Sequence, residues 1–303
     1  MSIFTNKKIA VVVVTYNRLN LLKDCINAIR SQTTAYEKLI VVNNGSTDET
    51  PAWLDSQGDL DVIHQKNVGS AGGFYTGVKY ACEKEYDYIW LMDDDVMVSA
   101  TALENLQEGL NITGDFSFGC SKVISKDGVF INAPNIDDKM SAYNYPVWGQ
   151  FAEHGIIRVK NATFVSVFIN AAYLQQAGLP AKDFFIWGDD MDFTYRLSRV
   201  APGYFIGNSI ATHFRADPSF PSILTEKDER RISMHYFNVR NNLYISRKYK
   251  SKKEMLLDVL HCWKIIFYCL FLQKGLKKAG IYLKGFWAGL FFNPPVIYPN
   301  QKL

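Results

Sequence analysis

Short runs of β-branched and aliphatic residues alternate with stretches of helical periodicity through the first third of the chain. Ile9 to Thr15 is an unbroken apolar run closed by the polar Tyr16-Asn17-Arg18, the pattern of a strand buried on both faces. Leu21, Leu22, Ile26 and Ile29 then fall on one side of a helix over Leu19 to Ser31. The alternation continues with a strand over Lys38 to Val42, a helix over Thr47 to Gln57 with Pro51 near its start, and a strand over Asp61 to Gln65. A helix over Gly73 to Lys84 and a strand over Tyr88 to Met92 follow. This βαβαβαβ order predicts an α/β fold, a mostly parallel, Rossmann-like sheet flanked by helices. Ligands of such sheets bind beyond the carboxyl ends of the strands. Thr15 to Arg18, Asn43 to Ser46, Asn67 to Gly73 and Asp93 to Asp95 each follow a strand, so the fold itself gathers these polar sets around one crevice.

Past Asp95 the pattern is mixed. Strands are predicted at Phe118 to Ile124, Val129 to Asn132, Ile156 to Val167 and Ile210 to Phe214, and helices at Ala100 to Leu110, Asn170 to Ala177 and Asp189 to Val200. From about residue 225 the composition shifts to a charge-dotted helix, Glu226 to Tyr249, and then to an aromatic-rich tail. The expected division is an α/β domain over residues 1–225 and a helical region over 226–303.

Composition narrows the partners. At 303 residues and 48% hydrophobic the chain can bury one large or two modest cores. A net charge of +3, with no basic run interleaved with aromatics, argues against nucleic acid. Five cysteines without CxxC spacing suit a reduced core rather than disulfides or zinc. The polar N-terminus runs straight into the first strand without the pattern of a signal peptide, and a cytoplasmic location is expected.

The strongest chemical feature is Asp93-Asp94-Asp95 at the end of a buried strand. Adjacent carboxylates repel one another and are tolerated where a cation or solvent takes up the charge. Residues i and i+2 of a strand share a face, which lets Asp93 and Asp95 converge on one ion, and hard oxygen ligands suit Mg²⁺ or Mn²⁺. A solvated acidic turn or a helix cap is the plainer alternative. Asn67-Val68-Gly69-Ser70-Ala71-Gly72-Gly73 opens a helix with bare backbone amides that suit a phosphate, although glycines that merely permit close packing fit the same run. Phe184-Phe185-Ile186-Trp187-Gly188 leads into Asp189-Asp190-Met191-Asp192. A carboxylate beside Trp187 can have its pKa adjusted by partial burial and act as a general base, the role preferred for Asp190. Asp192 is expected to pair with Arg196 one turn on, and Asp189 fits a helix cap. His213 is a lone histidine, ordinarily structural, and His64, His154, His235 and His261 share no paired spacing.

In this order, Val11 to Arg18, Val41 to Asp48, Trp90 to Asp95, Trp187 to Asp192 and Thr212-His213 resemble the inverting nucleotide-sugar glycosyltransferases of family 2, which have the GT-A fold. The resemblance runs from about Lys8 to Tyr249. It implies that Asp95, assisted by Asp93, holds Mn²⁺ or Mg²⁺ on the donor diphosphate, with His213 as third ligand. It also implies that Asp190 is the catalytic base with Asp189 preceding it, and that Thr15, Tyr16, Asn17, Arg18, Asn43 and Asn44 line the nucleotide pocket. Asn67, Gly69, Gly72, Gly73 and Asp94 are expected on the donor as well. Many members carry Asp where this chain has Asn43, which leaves only an amide oxygen to accept the N3–H of uracil or thymine. The glycine run together with the two acidic groups resembles bacterial galactofuranosyltransferases first and rhamnosyltransferases second. The donor ranking is therefore UDP-galactofuranose, then dTDP-rhamnose; a nucleotidyltransferase-like enzyme and a silent sugar-nucleotide-binding module are the other classes.

Met255 to Leu272 and Ala279 to Phe292 read as helices rich in Leu, Phe, Trp and Tyr, flanked by Lys274, Lys277, Lys278 and Lys284 and interrupted too often to span a bilayer. They fit a helix lying in the lipid interface on the inner face of the cell membrane, with a lipid-linked saccharide as acceptor. The alternative is a helical cap packed on the α/β domain or at a homo-oligomer contact.

Overall fold

The computed structural model describes residues 3–215 and 221–299. The strands are β1 (Ile9–Thr15), β2 (Lys38–Asn43), β3 (Leu60–His64), β4 (Tyr88–Asp93), β5 (Val96–Val98), β6 (Phe118–Ile124), β7 (Ile156–Val159), β8 (Val167–Asn170) and β9 (Gly203–His213). The helices are α1 (Leu19–Arg30), α2 (Thr50–Asp55), α3 (Gly69–Glu83), α4 (Ala102–Thr113), α5 (Leu174–Ala177), α6 (Asp189–Val200), α7 (Glu229–Tyr249), α8 (Lys252–Cys269) and α9 (Gly275–Phe291).

One sheet runs in the order β3-β2-β1-β4-β8-β6-β9-β5, with β7 added on β9. β3, β2, β1 and β4 are parallel, as the βα alternation requires, and the sheet becomes mixed beyond β4, where β8 is antiparallel to both β4 and β6. Alternate residues of the central strands serve two cores. Val11 and Val13 face Leu22, Ile26, Trp90 and Leu106 beneath α1 and α4, whereas Val12 and Val14 face Phe74, Val78 and Leu91 beneath α3. Both faces are dry, which explains the unbroken apolar runs of β1 and β2.

Two expected strands differ. Val129 to Asn132 forms only an isolated bridge, Phe130 to Ile124, because the turn at Ser125 to Gly128 returns the chain along the sheet edge for a single pair. Ile156 to Val167 is split into β7 and β8. Between them Asn161 accepts from the backbone of Asn135, and Ala162 exchanges hydrogen bonds with the Thr194 hydroxyl of α6, so local polar contacts replace the ladder. The helix expected from Gly73 begins at Gly69 instead. Gly73 lies so close to β1 that a Cβ there would come within 2.4 Å of a Val14 methyl.

The helical region is not a separate layer. Tyr244 and Ile245 of α7 share a small core with Ala71 and Phe184 from the α/β part, so packing continues across the division expected near residue 225.

Candidate active site

Sheet register assembles the acidic cluster. Val14 of β1 pairs with Asp93 at the end of β4, which brings Thr15 beside the next residues of the triplet. The chain then turns into β5, whose Val96 pairs with His213 at the end of β9, and the Phe214 amide donates to the Asp95 carbonyl at 2.7 Å. A residue more than a hundred positions downstream is thereby set next to Asp95. Asp93, Asp95 and His213 each offer a ligand atom within 4.8 Å of the others.

Asp94 points away from that cluster. Its Oδ2 accepts from the Thr15 hydroxyl at 2.7 Å and from the Tyr16 amide at 3.4 Å, and Arg18 reaches Asp94 at 3.2 Å and Asp95 at 2.8 Å. Burial, followed by the Asp95 and Asp94 charges, pushes the Asp93 carboxyl well above the usual carboxylate range. Burial lifts Asp94 to about 6 against the pull of Arg18. Burial acts on Asp95 too, but His213 and Arg18 outweigh it and hold that carboxyl below its ordinary value.

The donor set fits a hard divalent ion. The buried Asp95 Oδ1 receives no hydrogen bond; His213 Nε2 lies 3.1 Å away, outside hydrogen-bond geometry. The other ring nitrogen, Nδ1, faces Asn132 Oδ1 at 3.2 Å and must donate to it. With Nδ1 turned to Asn132, Nε2 is the ring nitrogen left facing Asp95 Oδ1, and the two atoms are placed to share a cation. Asn132, which has a positive φ of 52° in the loop after β6, carried no sequence signal beyond its place as the last residue of an expected strand.

Asp190 sits in the first turn of α6, partly exposed, and its Oδ1 accepts from the Met191 amide at 2.7 Å. Burial lifts its carboxyl to about 6, against backbone amides that pull it down. Its charge is the smallest of the named influences on Asp93, after burial, Asp95, Asp94 and Arg18. Asp189 is turned inward and buried, and burial followed by the Asp190 charge drives its carboxyl well upward. Asp192 pairs with Arg196 at 2.9 Å, as its spacing predicts, and also accepts from Lys248 and Tyr249.

The loop that presents Asp190 is strained and held from α7. Phe185, Trp187 and Gly188 all have positive φ, costly for the two aromatic residues. Asn241 Nδ2 lies 2.8–3.0 Å from the carbonyls of Phe184, Ile186 and Trp187, and the Arg240 guanidinium donates to those of Asp183 and Phe184. Neither residue was legible as functional: in sequence they belong to a charge-dotted helix.

The other residues expected to line a nucleotide pocket divide into two groups. Thr15, Tyr16 and Arg18 contact the acidic cluster, and Asn17 joins the β1 and β2 loops by accepting from the Thr47 amide at 2.7 Å. Asn43 is buried with its Oδ1 accepting from the Ser46 amide and its Nδ2 against His64 Nδ1, which leaves one oxygen lone pair for a base. His64, expected to be structural, is its orienting partner. Asn44 and Asn67, expected on the donor, make hydrogen bonds within the protein. Asn44 donates to the Gly69 carbonyl and accepts from Gln65 and Val68, and Asn67 Oδ1 accepts from the Gly69 amide.

The glycines expected to cradle a phosphate have a packing role. The Ala71 amide, in the first turn of α3, donates to the Phe185 carbonyl, and Gly69 (φ +80°) passes so close that a Cβ would stand 2.0 Å from that oxygen. Gly72 and Gly73 are buried against Val68 and Val14. Gly69→Ala is expected to lower stability by about 2 kcal/mol, because backbone and φ both oppose a side chain there. An unchanged denaturation midpoint would contradict that packing role.

The parallel half-sheet, the acidic strand end and the returning histidine strand are those of the GT-A architecture. The chain belongs to Glycosyl transferase family 2, whose profile matches residues 10–174, more than half its length. It is similar to galactofuranosyltransferase GlfT1 of Mycobacterium tuberculosis (strain ATCC 25618 / H37Rv), 28% identical over 213 residues that cover 62% of this chain and 64% of that protein. GlfT1 of Mycolicibacterium smegmatis is 35% identical over 89 residues, 29% of this chain and 30% of that protein. The match thus spans less than two thirds of either relative. Among solved structures, GalNAc-T7 with UDP, GalNAc and Mn²⁺ superimposes with a TM-score of 0.56 at 15% identity, covering 83% of this chain and 54% of that one. S. aureus TarS 1-349 superimposes with a TM-score of 0.54 at 14% identity, covering 93% and 90%. These two likenesses concern the fold.

Proposed function

We propose that this protein is a metal-dependent inverting glycosyltransferase that moves galactofuranose from UDP-galactofuranose to a lipid-linked saccharide in cell-surface glycan synthesis. The observation that carries the reading is the meeting of Asp93, Asp95 and His213 within 4.8 Å at the strand ends. Asp93, Asp95 and His213 would hold Mn²⁺ or Mg²⁺, which when bound supplies Lewis acidity to the departing diphosphate. Arg18 adds a fixed positive charge beside it, and Thr15 and Asn17 steady the loop on which the nucleoside rests. Asp190 takes the proton of the acceptor hydroxyl as that oxygen attacks the anomeric carbon from the face opposite the diphosphate. One carbon–oxygen bond forms as the other breaks, so the configuration inverts and the chain forms no covalent intermediate.

The sugar rests on similarity to the GlfT1 proteins, and dTDP-rhamnose is the second donor; Asn43, with its single free lone pair, serves uracil and thymine alike. The lipid-linked acceptor is supported by a groove of about 490 Å³ next to the loop before Asp189, where Phe185, Met234 and Phe237 supply an apolar wall and Arg230 positive charge, Lys277 being paired there with Glu229. Such an acceptor puts the reaction at the inner face of a membrane. Hydrolysis or transfer assays over UDP-, dTDP- and GDP-sugars with Mn²⁺ test the reading. Turnover of UDP-galactofuranose above all others is the expected result, and turnover of none, with binding intact, would leave a silent sugar-nucleotide module.

A further inference from the structure

On the outer sides of α8 and α9 the polarity of a solvated helix is reversed. Leu256, Leu260, Trp263 and Phe267 recur at helical spacing along α8, and all are 46–58% exposed. The inner side of α8 is already filled by Cys262, Ile265 and Cys269, so the outer stripe is additional to the core contact. On α9, Leu276, Trp287 and Phe291 form a second stripe at 83%, 53% and 80% exposure. The stripes adjoin: Trp263 and Trp287 flank the ring of Phe286 with centroid distances of 5.4 and 5.6 Å. Among the described residues nothing covers this patch, and no helix is long and apolar enough to cross a membrane.

Charge identifies the occupant. Lys264 stands one turn after Leu260 and one before Phe267, and Lys284 one turn before Trp287, both exposed at the edge of the apolar stripes. The two acids of α8 are turned elsewhere: Glu254 closes the capping box with Ser251, and Asp258 accepts from Ser246 and Lys250. α9 contains no acidic residue. A second copy of the chain docked symmetrically would set lysines against lysines with no carboxylate between them. An anionic lipid surface supplies both the apolar layer and the negative charge.

We infer that α8 and α9 lie flat in the interface of an anionic bilayer, with the Trp263–Trp287 patch in the acyl boundary and Lys264 and Lys284 at the headgroups. This deepens the membrane part of the function proposed above. Lys277 of the same helix α9 also lines the groove beside Phe185.

Flotation of the full chain with vesicles, in the absence of any sugar nucleotide, tests docking separately from transfer. The chain is expected to float with phosphatidylglycerol-containing vesicles and to remain behind with pure phosphatidylcholine. Lys264→Glu with Lys284→Glu should weaken vesicle binding by about fivefold per lysine or more. Leu260→Glu with Phe267→Glu should abolish it, while circular dichroism and UDP binding stay as in the wild type. Flotation unaltered by both pairs, or none by the wild type, would overturn the inference. So would a wild-type dimer that ignores vesicles and is broken by Leu260→Glu with Phe267→Glu, which would make a second copy the occupant.

Discussion

Asp190→Asn is expected to abolish transfer while leaving UDP binding unchanged. The amide keeps the size of the side chain and an oxygen for the Met191 amide, so the first turn of α6 survives, but it cannot take a proton. General-base catalysis contributes about 10²- to 10⁴-fold, and the loss in kcat should fall in or beyond that range. The same residue predicts the pH dependence. Burial lifts the Asp190 carboxyl to about 6, and only its ionised form accepts a proton. Transfer by the wild type should therefore fall as pH drops through that region and level off above it. Near-normal transfer by Asp190→Asn, measured as product formed per enzyme at saturating donor, would remove Asp190 from the mechanism.

Asn241→Ala should be the most damaging substitution outside the acidic clusters. Its side chain is fully buried and serves three carbonyls of a loop that contains two aromatic residues at positive φ. Losing the amide strands the carbonyls of Ile186 and Trp187, each worth about 1–3 kcal/mol when left without a donor, in a segment already under strain, while that of Phe184 keeps Arg240. Relaxation of Phe185 and Trp187 would also move the start of α6 and with it Asp190. A loss of about 3 kcal/mol in denaturant melts is expected, together with a kcat that falls more than UDP affinity does. Wild-type stability and kcat would mean that α7 is a bystander. The same contact predicts that truncation before α7 yields no stable α/β domain.

Much of the fold was legible because one kind of signal dominated it. In β1, β2 and β4 every residue but Lys38 and Asp93 is buried, and their apolar runs leave no second reading. The site was legible for a related reason: it lies at the ends of those strands, and Asp93, Asp95 and Asp190 carry charge where charge is expensive. Failures came where packing partners distant in sequence decide the outcome. Val129 to Asn132 has strand composition but finds one pairing partner, at Ile124. The contacts that Asn44, Asn67 and the glycines after them make with Gln65, Val14 and the Phe185 carbonyl had no signal in the sequence either. Asn132 and Asn241 are ordinary asparagines in sequence, and their roles exist only through His213 and the loop from Phe184 to Trp187.

The central claim is that Asp93, Asp95 and His213 form a cation site that carries the donor diphosphate. Titrating UDP into the protein by calorimetry, with and without Mn²⁺, for the wild type and for His213→Ala tests it most directly. The account predicts that wild-type affinity for UDP requires Mn²⁺ and that His213→Ala weakens the Mn²⁺-dependent binding by about tenfold or more. UDP binding that ignores Mn²⁺, or a metal titration of His213→Ala that superimposes on the wild type, would contradict it.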